Sequence, residues 1–155
     1  MKHLVPHAVL VLCAVLVPAA VASSQVPGKI PVFVKAAATA GGFSDPSKER
    51  QDSVKDIQEK VRGSKVIAMA QSENEAVVIV EVLARSTRRE TNFWGRQNKS
   101  RLEVRLTAGE YSTEFGADGG SAGVFTGYGK AAGSIVKQME KWVGENRERL
   151  LALKK

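Results

Sequence analysis

The sequence predicts an α+β two-layer sandwich: a mainly antiparallel sheet of about five strands, ordered β-α-β-β-β-β-α, with two helices packed on one face. Three observations predict it. Residues 76–84 (AVVIVEVLA) form a nearly unbroken apolar run rich in β-branched side chains, the pattern of a central strand covered on both faces. Residues 101–106 (RLEVRL) alternate strictly, which marks a half-buried strand with Leu102, Val104 and Leu106 inward. Near the C-terminus Tyr128, Ala132, Ile135, Met139, Trp142, Val143, Leu150 and Leu153 share one face at helical spacing. That stripe predicts an amphipathic helix of about six to seven turns, suited to covering a sheet.

The chain opens on Met1-Lys2-His3, runs apolar from Leu4 to Val21, and closes on Ala20-Val21-Ala22 before Ser23. A short positive start, an apolar stretch and a small-x-small ending are the pattern of a cleavable export signal, with cleavage expected after Ala22. Residues 1–22 are therefore expected to be a leader, 23–29 a linker and 30–155 one α+β domain. The expected location is the periplasm or the extracellular space.

Ile30 to Ala36 is β-branched and aromatic and reads as the first strand, with Pro31 near its start. Thr39 to Gly42 makes a turn. Asp45-Pro46 is a helix start, with Asp45 as N-cap and Pro46 in the first turn, and Gly63 is the matching stop. Between them Val54, Ile57 and Val61 make a narrow apolar stripe, and the other faces are charged. Val66 to Ala70 is a short second strand. After the alternating strand, Ala108-Gly109 turns the chain, and Tyr111, Thr113 and Phe115 face the same way on its hairpin partner. Residues 116–129 are glycine-rich and read as a loop.

Composition restricts the chemistry. The one cysteine, Cys13, and both histidines, His3 and His7, lie within the leader. The exported chain is thus expected to contain no thiol or imidazole. That excludes disulfides, a cysteine nucleophile, a Ser-His-Asp triad and the common zinc and copper sites, so no metal and no cofactor are expected. The formal net charge is +7, from 23 Lys and Arg against 16 Asp and Glu, and only Lys2 of these falls in the leader. Such an excess favours polyanionic partners: an anionic envelope polymer, a lipid surface or another envelope protein.

The glycine-rich stretch precedes a helix, a setting that can cradle phosphate. It fails as a P-loop, because the first glycine of that pattern would stand at Val124 and Lys130 is followed by Ala131. No nucleotide is expected.

The candidate site is the basic stretch 85–101, read as a loop joining two strands. Arg85, Arg88, Arg89, Arg96, Lys99 and Arg101 surround Phe93 and Trp94 there. Guanidinium forks grip anionic oxygens while flat rings take bases or sugar faces, so cations interleaved with aromatics suit an anionic ligand. The competing reading is a solvated hairpin tip. Asn98-Lys99-Ser100 is also a glycosylation sequon, relevant only in a eukaryotic secretory pathway.

Glu81 interrupts the central apolar run, and its expected partner is Arg105 or Arg101 across the ladder. The function expected from these residues is a non-catalytic exported binding module. A carboxylate-based hydrolase, pairing Asp118 with Glu81 or Glu114, and a nucleic-acid binder stacking bases on Trp94 are the alternatives.

Overall fold

The computed structural model describes residues 28–38, 46–92, 95–121 and 127–153. The leader, residues 39–45, Phe93, Trp94 and residues 122–126 lie outside them, and with them the expected N-cap, Asp45. The element order is β1 (Ile30–Ala36), α1 (Pro46–Arg62), β2 (Ile67–Met69), a 3-10 turn (Glu73–Glu75), β3 (Val78–Asn92), β4 (Gly95–Ala108), β5 (Tyr111–Ser121), α2 (Tyr128–Glu145) and α3 (Arg147–Leu153).

These elements make the α+β sandwich. The five strands are ordered β2-β1-β3-β4-β5, with β1 parallel to both β2 and β3, and with β3-β4 and β4-β5 antiparallel. The sheet is mixed, and its long ladders are the antiparallel ones. Helix α1 lies over β1 and β3, and α2 over β4 and β5. Between sheet and helices, Val32, Val34, Val80, Val82, Leu102, Val104 and Leu106 meet Ile57, Val61, Ile135, Met139 and Val143 in one buried core. Among the described residues the opposite sheet face carries no helix. There Ile79, Glu81 and Leu83 are only half-buried, so the apolar run 76–84 is covered on one side.

Helix α1 runs from Pro46 to Arg62, as its start and stop signals predict, and buries Ile57 and Val61. Its end is tied down by Ser64. The Ser64 hydroxyl donates to Glu140 on α2 (2.5 Å) and accepts from the backbone N–H groups of Val66 and Ile67, both 3.1 Å. All three bonding positions of that buried hydroxyl are thereby used.

The last helix departs from the expected single rod. Helix α2 ends at Glu145, and Asn146 breaks it: both its backbone N–H (3.0 Å) and its side-chain amide (2.9 Å) donate to the carbonyl of Trp142. A side-chain amide that satisfies a terminal carbonyl replaces the next helical turn. Helix α3 then follows and buries Leu150, whereas Leu153 stays 43% exposed.

The glycine-rich segment also departs from expectation. Its first half is strand, because β5 continues through Gly116, Ala117, Asp118, Gly119 and Gly120 to Ser121. The composition serves close approach. A side chain on Gly119 would overlap the carbonyl of Gly127, and one on Gly127, at φ 68°, would meet the Gly119 carbonyl. Two backbones touch here just before α2 begins, which only glycine permits.

Candidate functional site

The stretch 85–101 is not a loop. Strands β3 and β4 continue through it as one ladder that places Ser86 opposite Arg101, Arg88 opposite Lys99, Arg89 opposite Asn98 and Thr91 opposite Arg96. Beside β3, the pairing with β1 stops at Val82, and beside β4, the pairing with β5 stops at Asn98. Residues 85–92 and 95–101 form a β3–β4 ribbon that runs past the end of β1, and among the described residues 90–92 and 95–97 pair only with each other. Trp94 lies outside the described residues, and Arg89 and Arg96 are described by register alone.

The ladder separates the predicted cations. A bulge between Val82 and Ala84 sets Leu83 and Ala84 together opposite Glu103, and this reverses the alternation beyond it. Arg85 consequently turns to the helix side. Its guanidinium lies 3.7 Å from the centre of the Tyr128 ring, and one amino group donates to the Glu49 carbonyl (3.3 Å) and the Ser53 hydroxyl (3.5 Å). The Tyr128 hydroxyl is 2.6 Å from that of Thr87. Arg85 is a packing residue at the junction of β3, α1 and α2, not part of an exposed patch. Beside it, Asp56 has its carboxyl raised above the ordinary value, first by desolvation and against the pull of the Arg85 charge.

Arg101 stays on the open face but is compensated. Its Nε donates to Glu103 (2.8 Å) and Nη1 to Asp118 (3.4 Å), and these partners raise its pKa, the Glu103 hydrogen bond most. Arg88 and Lys99 are both exposed, on the same face, directly opposite each other. Like charges so placed destabilise a ladder by about 0.2–1 kcal/mol. Of the predicted residues, then, Arg88 and Lys99 come together on an open surface, Arg101 adjoins them in an ion-paired state, and Arg85 is elsewhere.

One turn of the pleat further down, the same face shows the opposite arrangement. Lys35, Glu81, Arg105 and Glu114 stand side by side on β1, β3, β4 and β5. Arg105 holds Glu114 at 2.7 Å and Glu81 at 4.0 Å, and Lys35 reaches Glu73 at 2.7 Å and Glu81 at 3.7 Å. Glu81 thus has the cross-strand partner expected of it. The three carboxylates of the hydrolase alternative are each held by a cation: Asp118 by Arg101, Glu114 by Arg105, and Glu81 by Lys35 and Arg105.

A second feature has no counterpart in the sequence reading. Strand β2 pairs with residues 30–32 of β1 and stops, although β1 continues to Ala36. Beside the remainder of β1 opens a cleft of about 520 Å³, walled by α1 and lined by Lys35, Ala36, Ala37, Arg50, Val54 and Lys55, with Gln51 and Gln58 on the same helix. It lies at the carboxyl end of β1, where the neighbours reached next along the chain fall on opposite sides. Open α/β sheets hold their ligands at such switch points.

The sequence matches no protein-family model and no curated protein. Its structure is similar to that of a hypothetical protein of Chlamydia trachomatis, with TM-score 0.49 and 14% identity, over 74% of this chain and 98% of that one. It is also similar to PelC of Paraburkholderia phytofirmans, a dodecamer, in two crystal forms. These give TM-scores of 0.44 and 0.43 and identities of 11% and 13%, over 70% and 72% of this chain and 84% and 86% of PelC. Neither likeness assigns a role to a residue here.

Sequence reasoning missed the bulge and the cleft. The run VLARS carries no bulge signal, since neither glycine nor proline marks Leu83 or Ala84. The cleft arises from the shortness of β2, a property of the pairing rather than of any motif.

Proposed function

We propose that this protein is an exported, non-catalytic module that holds an anionic polymer on the open face of the β3–β4 ribbon. The leader-like start, with its small-x-small ending at Ala22, supports export. Among the described residues no helix is long and apolar enough to cross a membrane.

The observation that carries the binding reading is the like-charge pair Arg88–Lys99. Elsewhere on the same sheet face cations alternate with carboxylates strand by strand. The ribbon sets cation against cation, and the stretch 85–101 holds six cationic side chains against the single carboxylate Glu90. A multivalent anion laid across the pair gains a charge-assisted contact at Arg88 and another at Lys99.

The test is retention on heparin and on vesicles rich in anionic lipid, at low salt. Changing Arg88, Arg89 and Arg96 together to Ser is expected to release the protein from heparin at markedly lower salt. Unchanged elution would remove the ribbon from the account, and retention on vesicles but not on heparin would replace the polymer with a lipid surface.

A further inference from the structure

We propose that the cleft beside β1 receives an extended, acidic segment of a partner polypeptide, which adds to the sheet as a strand next to β1. The proposal starts from the direction of backbone groups. The N–H of Ile30 donates to Val66 and the carbonyl of Val32 accepts from Ala70, so even-numbered residues of β1 turn their polar groups to the β2 side. Odd-numbered ones face β3: Pro31 accepts from Val77, and Ala37 donates to Val82. By the same alternation Val34 and Ala36 face the β2 side, beyond the last β2 pairing at Val32–Met69. Among the described residues no hydrogen bond takes up the N–H groups of Val34 and Ala36.

An unpaired sheet edge with a helix alongside it is the groove in which extended peptides dock by strand addition, the main chain supplying affinity and the flanking side chains selectivity. Here the edge is β1 and the helix is α1, about 520 Å³ of space lies between them, and Val54, Ala36 and Ala37 provide an apolar floor. The chemistry of the occupant follows from the charge of the walls. Lys35, Arg50 and Lys55 line the cleft, and among the described residues no carboxylate does. Lys35 is already bound to Glu73, but Lys55 is exposed on the wall formed by α1. A strand that alternates carboxylate with apolar side chains would bond to the edge, present its acids to Lys55 and rest its apolar residues on Val54. The site is separate from the ribbon and does not depend on its function.

The experiment uses an N-acetylated hexapeptide, Glu-Val-Glu-Val-Glu-Val, and a control with Lys in place of Glu, added to the full protein while backbone amides are followed by NMR and hydrogen exchange. The expected result is fast exchange at Val34 and Ala36 in the free protein, protection of both on adding the Glu peptide, and no response to the Lys peptide. Lys55→Glu should weaken binding about tenfold, the equivalent of one lost charge-assisted contact. Ala36→Pro, which removes an edge N–H without touching the β3 ladder, should abolish the protection of Val34 at unchanged circular dichroism. Slow exchange at Val34 and Ala36 in the free protein would overturn the proposal, because the edge would already be occupied within the chain. So would shifts confined to residues 88–99, equal binding of the two peptides, or full binding by Lys55→Glu.

Discussion

Two regions of one sheet face solve the same electrostatic problem in opposite ways. Across the body of the sheet Lys35, Glu81, Arg105 and Glu114 alternate in sign over four strands, and each charge has a partner within 4.0 Å. Along the ribbon Arg88 faces Lys99 on an open surface, and Arg101, the cation between the two regions, is drawn into the compensated set by Glu103 and Asp118. Net charge alone would not reveal this. What the difference teaches is where the positive excess of the chain is gathered: along β3 and β4 beyond Ala84, where cation faces cation across the ladder.

The largest expected effect concerns the boundary between the regions. Leu102 is fully buried, opposite Arg85 on β3 and Ala117 on β5, at the root of the ribbon. Leu102→Ala should cost about 2–5 kcal/mol in urea unfolding, as core truncations do. A loss below about 1 kcal/mol would mean that the root of the ribbon is not part of the cooperative core.

A smaller effect has opposite signs in the two regions. Arg105→Ala removes the cation shared by Glu81 and Glu114 and should destabilise by up to about 1 kcal/mol, a value limited by the exposure of the pair to solvent. Arg88→Ala removes one half of a like-charge pair and should stabilise by about 0.2–1 kcal/mol. Thermal unfolding of the two variants, side by side, checks both signs. If Arg88→Ala were the more destabilised of the two, the contrast between the regions would be lost.

The smallest effect belongs to Asp56, near the cation that the bulge turned inward. Burial raises its carboxyl above the ordinary value, so the folded protein binds that proton more tightly than the unfolded chain does. Stability contributed by this group therefore falls as pH rises from the ordinary carboxylate value through the raised one. Asp56→Asn should flatten that part of the pH profile and leave the protein more stable at neutral pH. A profile unchanged by the substitution would show that Asp56 does not titrate differently on folding.

Much of the fold was legible, and the reasons are local. The start at Pro46 and the stop at Gly63 bracket α1 because proline and glycine act through their own backbone restrictions. Leu102, Val104 and Leu106 point inward because the side-chain period of a strand is two. What escaped was relational. Residues 85–101 are strongly polar, and polar sequence reads as loop, yet a ladder needs only a partner strand; polarity reports that the ribbon lies in water, not that it is irregular. Arg85 was grouped with Arg88 by proximity in sequence, and one bulged residue put them on opposite faces. Glycines 116, 119 and 120 were read as breaking a strand, whereas Gly119 serves the contact with Gly127. Asn146 stood within an apolar stripe, which was a visible sign of the helix break it makes.

The most direct test of the account compares two triple variants of equal charge, Arg88, Arg89 and Arg96 to Ser on the ribbon, and Lys60, Arg105 and Lys141 to Ser on the body, by the salt dependence of heparin affinity. Each cation that contacts the polymer contributes about one unit to the slope of log K against log salt. The ribbon variant is expected to lose between two and about three units of slope and the body variant almost none. Equal losses in both would show that heparin senses only total charge, and the distinction between a body of alternating sign and a ribbon that sets cation against cation would have no functional meaning.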